Sequence, residues 1–165
     1  MDLFTRDDRG RLVVTLHVLD AQALVAVAAD VRELLQAPPD GNPVAARLFP
    51  RAYTDPTEED AEREWQELVH ADLALGKLAA LDELRSRFER ARPAGELVHV
   101  AFEADQEERL LLALNDMRLA LGAALGVTAD TDLEHVAPSD PHYLFVWLGA
   151  FEQELVEFLL EGMPG

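Results

Sequence analysis

The chain has no cysteine, a single lysine and two serines in 165 residues. Without thiols there is no disulfide framework and no thiolate zinc or redox site. The serines are Ser86, in a charged stretch, and Ser139, just ahead of Asp140-Pro141. Neither sits in a nucleophile elbow, so Ser/His/Asp hydrolysis has no support. Glycines are scattered, with no P-loop and no G-x-G-x-x-G, which removes the usual phosphate cradles. No apolar run approaches bilayer length, and the opening MDLFTRDDRG lacks the apolar centre of a signal peptide, so a soluble, cytoplasmic protein with no membrane contact is expected. Positive charge is scarce as well. Fourteen basic residues against 32 acidic ones leave a net charge of −18, which repels a phosphate backbone and opposes binding driven by counterion release. Nucleic acid is therefore not an expected partner.

What is present is globular. Hydrophobic residues make up 49% and charged residues 28%, too apolar a mixture for disorder, and the length suits one domain over residues 1–165. Residues 3–5 and 11–17 read as a β-hairpin around the turn RDDRG. Asp20 is placed to cap a helix reaching Gln36, stopped by APPDGNP, and PVAARLFPRAY gives at most a short helical turn. Thr57 with Asp60 has the spacing of a capping box for a long helix over residues 58–91. Its apolar positions run through Trp65, Val69, Leu73, Ala80, Leu84 and Phe88, with Leu68, Leu75, Leu78 and Leu81 widening the band. Gly76 within that band invites another helix to approach closely. LVHVAF reads as a third strand. Asp105 with Glu108 opens a helix to about Leu125, closed by Gly126. After an acidic loop, Pro141 takes a first-turn position in a last helix ending near Glu161. The fold class is α+β and mostly α: a bundle of about four main helices with a small antiparallel sheet.

The segments RLFPRAYTD, DLALGKL, LNDMRLALGAALGV and YLFVWLGAFEQELVEFL resemble a family of uncharacterised bacterial proteins catalogued as a domain of unknown function. The resemblance runs over nearly the whole chain. Its most specific part is Asn115-Asp116-x-Arg118-Leu119 with Leu121-Gly122, followed by Trp147-Leu148-Gly149 and Glu154-Leu155-Val156-Glu157. Genes of that family often neighbour the gene for the adaptor of the Clp protease, so the resemblance implies a place near regulated proteolysis. It supplies no catalytic residue. Some members carry a transcriptional-regulator label, but this chain has no basic recognition helix to go with it.

Four groups of residues are candidates for a site. Glu67-x-x-His70 has the one-turn spacing of a di-iron half-site, but a second such pair and two further glutamates are missing, so it is a weak metal candidate and no cofactor is expected. Lys77 lies among Leu73, Ala74, Ala80 and Leu81, where a buried lysine can become a base or a Schiff-base nucleophile; the more frequent outcome, and the reading here, is that it snorkels or pairs with a carboxylate such as Asp72 or Asp82. Asn115, Asp116 and Arg118 interrupt a leucine-alanine helix, and helical spacing does not let all three avoid packed surface. The reading is a structural network in which Arg118 pairs a carboxylate from a neighbouring element, with a recessed polar site beside Gly122 as the alternative. Tyr143, Phe145, Trp147 and Phe151 lie in YLFVWLGAF, a stretch with no charged residue, which belongs in the bundle or in an interface. The functional expectation is a noncatalytic interaction or regulatory module that binds a protein partner or a second copy of itself. The alternative is an enzyme or a small-ligand or metal binder with a polar pocket between helices around Asn115, Asp116 and Arg118.

Overall fold

A computed structural model of the chain describes residues 2–36, 41–49, 51–52 and 55–163. Strand β1 (Phe4–Arg6) pairs antiparallel with β2 (Leu12–His17), Phe4 opposite Val14. The turn between them is held by Asp7, whose Oδ1 accepts from the Arg9 and Arg11 amides, and it passes through Gly10 at φ +78°, a conformation that favours glycine. Strand β3 (Leu97–Phe102) pairs antiparallel with the other side of β2, giving the order β1-β2-β3. Leu12, Val14 and Leu16 of β2 and Val98, Val100 and Phe102 of β3 alternate onto one buried face.

Helix α1 (Val18–Gln36) follows β2 without a loop, so it starts ahead of Asp20. The His17 ring does the capping instead, its Nδ1 accepting from the Leu19 amide at 3.1 Å, while the Val18 amide donates to Glu96 of the sheet connection. Ala21, Leu24, Val27, Ala28, Val31 and Leu35 form its buried stripe. Of the expected stop signal, residues 37–40 lie outside the described residues. Asn42 then caps a short helix α2 (Pro43–Leu48), its Oδ1 accepting from the Val44 and Ala45 amides.

The expected Thr57/Asp60 capping box does not form, because the Thr57 amide and hydroxyl both turn back to Asp55 and residues 56–58 make a 3₁₀ turn. Helix α3 (Glu59–Arg90) divides in two. Its second half buries Ala80, Leu81, Leu84 and Phe88, whereas ahead of Ala80 the only fully buried residue is Glu62. Leu68 and Leu75 are exposed, and nothing comes within 4 Å of where a side chain at Gly76 would lie. The close helix approach read from Gly76 is thus absent among the described residues.

Helix α4 (Ala104–Ala124) starts one step earlier than Asp105 and Glu108 suggest: Glu103 and Gln106 form the reciprocal capping box. At its end Gly126 adopts φ +69°, the Gly126 amide donating to Ala123 and the Val127 amide to Gly122, a left-handed cap that satisfies two terminal carbonyls. This helix is the hub, packed against α1, α2, α3 and α5 through Leu110, Ala113, Leu114, Met117 and Ala120. Pro141 precedes the last helix, α5 (Tyr143–Glu161), instead of opening it. Leu148, Phe151 and Leu155 of α5 are buried, and Phe151 and Phe158 sit 5.1 and 6.1 Å from Phe4 between ring centroids, tying the helix to the hairpin. The architecture is four long helices, one short helix and a three-stranded antiparallel sheet, α+β and mostly α. Among the described residues no helix is long and apolar enough to cross a membrane.

Candidate functional site

The middle of α4 carries Asn115, Asp116 and Arg118, and the helix turns them towards different neighbours. Asp116 faces α3. Its Oδ1 lies 2.9 Å from Lys77 Nζ, with 2% of the Asp116 side chain and 15% of the Lys77 side chain exposed. Arg109 on α4 reaches Glu83 on α3 at 2.9 Å, so the two ion pairs show the helices running antiparallel. Lys77 Nζ also stands 6.0 Å from the Phe49 ring centroid, where the ring face favours a cation. The partner of Lys77 is therefore neither Asp72 nor Asp82; Asp82 is occupied by Arg32 at 2.7 Å.

Burial dominates the electrostatics of Asp116. Loss of water raises its pKa above the ordinary carboxylate value, and the hydrogen bond and charge of Lys77 only partly offset that. Among the described residues its second oxygen, Oδ2, has no hydrogen-bond partner. The pair is a partly satisfied buried ion pair, the kind whose rupture costs more than its formation gains.

Arg118 faces α5, with Nε 2.9 Å from Glu152 Oε2 and Nη2 donating to Asn115 Oδ1 at 3.4 Å. The Nε contact is ionic and off the hydrogen-bond line. One turn on, the absence of a side chain at Gly122 lets Phe145 pack against α4: a Cβ there would lie 2.9 Å from Phe145 Cε2. Beside it a recess of about 520 Å³ opens between Arg47, Arg118, Gly122, Val127 and Phe145. Asp116 does not line this recess, and the trio does not converge on it.

The remaining candidates separate. His70 lies against Phe49, ring centroids 4.4 Å apart, and with Glu67 it borders a groove of about 630 Å³ between α2 and α3. Among the described residues no three His, Asp or Glu side chains are grouped to hold a metal ion. Phe151 is a core residue, 2% exposed, and so leaves the candidate interface; Trp147, half-buried, stacks on it at 5.1 Å with planes 11° apart. Of the four aromatic candidates, Tyr143 alone is exposed. One buried group had no sequence signal. Glu62, in the acidic first turn of α3, accepts from the Ala52 amide and from Gln66, fastening the preceding segment to the helix.

A family model described as a domain of unknown function, DUF2017, matches residues 1–159. No curated protein and no solved structure matches the chain.

Proposed function

The chain belongs to the DUF2017 family over residues 1–159, a membership that names no activity, and from its surface we propose that it is a noncatalytic interaction module whose docking face is the first half of α3. One observation carries this reading. Leu68 and Leu75, seven residues apart on one side of the helix, are 69% and 65% exposed, and no apolar residue before Ala80 is fully buried. The neighbouring charge selects the occupant. Asp60, Glu64, Glu67 and Asp72 flank the leucines, and the Arg63 guanidinium beside them is already paired with Asp60, so a second copy would bring like charges together. An amphipathic helix with basic flanks, from another protein, fits both the apolar and the acidic parts. The genomic company implied by the resemblance puts regulated proteolysis first among the processes in which to seek it.

The test uses a synthetic helical peptide with leucines at heptad spacing and lysine flanks, and its glutamate-flanked counterpart. The lysine peptide is expected to bind the wild-type chain and to lose affinity about tenfold or more, roughly 1.4 kcal/mol, in the Leu68→Gln/Leu75→Gln variant. Light scattering on the same samples distinguishes the rival occupant. A dimer mass that the double substitution abolishes assigns the face to a second copy, and equal peptide binding by both proteins removes the face from the interface.

A further inference from the structure

Five of the fourteen basic residues of this acidic chain, Arg85, Arg87, Arg90, Arg92 and Arg109, fall between positions 85 and 109. Three of them meet at a cavity of about 620 Å³ on the outer edge of β3, where the end of α3 faces the start of α4. Arg87 and Arg90 come from α3, Arg109 from α4 and His99 from β3, with Ser86 also on the wall. Glu83, 19% exposed, holds two of the guanidinium groups: Arg109 Nη1 lies 2.9 Å and Arg87 Nε 3.6 Å from its carboxylate. Arg87 is fixed further by donating to the Ala101 carbonyl at 2.9 Å and by lying 5.3 Å over the Phe102 ring. Arg90 and the Ser86 hydroxyl have no hydrogen-bond or ion-pair partner among the described residues. Three guanidinium groups against one carboxylate leave the cavity cationic, and two of the three are already held in place, so a ligand orders little on binding.

We propose that this cavity binds a small molecule through a phosphoryl group. Guanidinium forks match phosphate and carboxylate oxygens alike. The arrangement of donors separates the two, since Ser86, Arg87 and Arg90 stand on one side, Arg109 on another and His99 on the sheet. Donors from three directions suit a tetrahedral oxyanion better than a planar one. The surrounding charge sets the size, because a net charge of −18 repels a long polyanion while a small one enters the local positive field.

The experiment is a calorimetric titration with sodium pyrophosphate and with inorganic phosphate, against citrate as the carboxylate arm and sodium chloride at matched ionic strength. Pyrophosphate is expected to bind the wild-type chain and to weaken about tenfold or more in both Arg90→Ala and Arg109→Ala. Arg90 is exposed and unpaired, so its variant keeps the fold, which circular dichroism checks. Leu68→Gln/Leu75→Gln is expected to bind pyrophosphate as the wild type does, which keeps this site independent of the docking face. Heat no greater than that of sodium chloride, undiminished binding in both arginine variants, or tighter binding of citrate than of pyrophosphate overturns the proposal.

Discussion

Lysine occurs once in this chain, and it sits against a carboxylate that is almost wholly removed from water. Replacing Lys77 by methionine keeps the stem and deletes the charge, leaving Asp116 buried and unpaired. The expected loss is about 3 kcal/mol at pH 7, the cost of breaking a buried pair from one side. The sign of its pH dependence follows from burial. Asp116 already titrates above an ordinary carboxylate, and without the pull of Lys77 it titrates higher still. A group that takes up its proton more readily when folded destabilises the fold above its folded pKa, and that deficit is relieved as pH falls towards the unfolded value. Urea denaturation is therefore expected to show the gap between variant and wild type narrowing from pH 7 to about pH 5. A gap of constant size would mean that Asp116 is not the group responsible. Asp116→Asn is expected to cost less than Lys77→Met, because the amide oxygen still accepts and Lys77, at 15% exposure, still reaches water. Sequence reasoning placed Lys77 in an apolar setting but chose its partner from nearby carboxylates. The actual one lies 39 positions away, and nothing local to Lys77 encodes which helix crosses it.

Among the elements, apolar periodicity located every long helix and every strand, while the starts were less legible. Of the three helix starts expected from Asp20, Thr57/Asp60 and Asp105/Glu108, those of α1 and α4 are made by His17 and by Glu103 with Gln106, and α3 starts without a side-chain cap, Asp55 capping the 3₁₀ turn ahead of it. Acceptors within a few residues of one another compete for the same free amides, and the winner depends on how the chain arrives: directly from a strand at α1, through a 3₁₀ turn at α3. Periodicity also marks an apolar stripe without saying what covers it, which is why Leu68, Leu73 and Leu75 fall in the apolar band of α3 although they are exposed, while Ala74 and Leu78 pack against the core. Two glycines make this difference measurable. Gly76→Ala adds a methyl to an open helix surface and is expected to stabilise by about 0.5–1 kcal/mol through backbone entropy alone. Gly122→Ala gains the same entropy but drives Cβ into Phe145, and overpacking is expected to outweigh it, for a net loss of about 1 kcal/mol. Opposite shifts of the urea midpoint at unchanged slope bear this out; a gain at both sites would show that Phe145 yields freely, and with it the packing of α5 on α4.

At the scale of the molecule, charge and burial oppose each other. The 32 acidic residues outnumber the 14 basic ones so far that pairing every arginine and the lysine still leaves a surplus of 18 negative charges. Several of the ion pairs that do form, such as Arg32–Asp82 and Arg85–Glu89, are at the surface, where each is worth about 0–1 kcal/mol. Self-repulsion acts between all the surplus charges across distances longer than one ion pair, and it favours the expanded chain. Salt weakens both effects, but unequally. At about 0.1 M the screening length is roughly 10 Å, which removes most of the long-range repulsion while contact pairs such as Lys77–Asp116 are largely shielded by burial. Sodium chloride raised from about 0.02 to about 0.5 M is therefore expected to increase unfolding free energy by an amount on the order of 1 kcal/mol at pH 7. Urea midpoints at the two salt concentrations measure it, and chloride is the suitable anion because sulfate would also strengthen apolar burial. A midpoint that fell with salt would mean that attractive pairs, Glu83 with its two arginines and Glu152 with Arg118 among them, outweigh the surplus charge in holding the helices together.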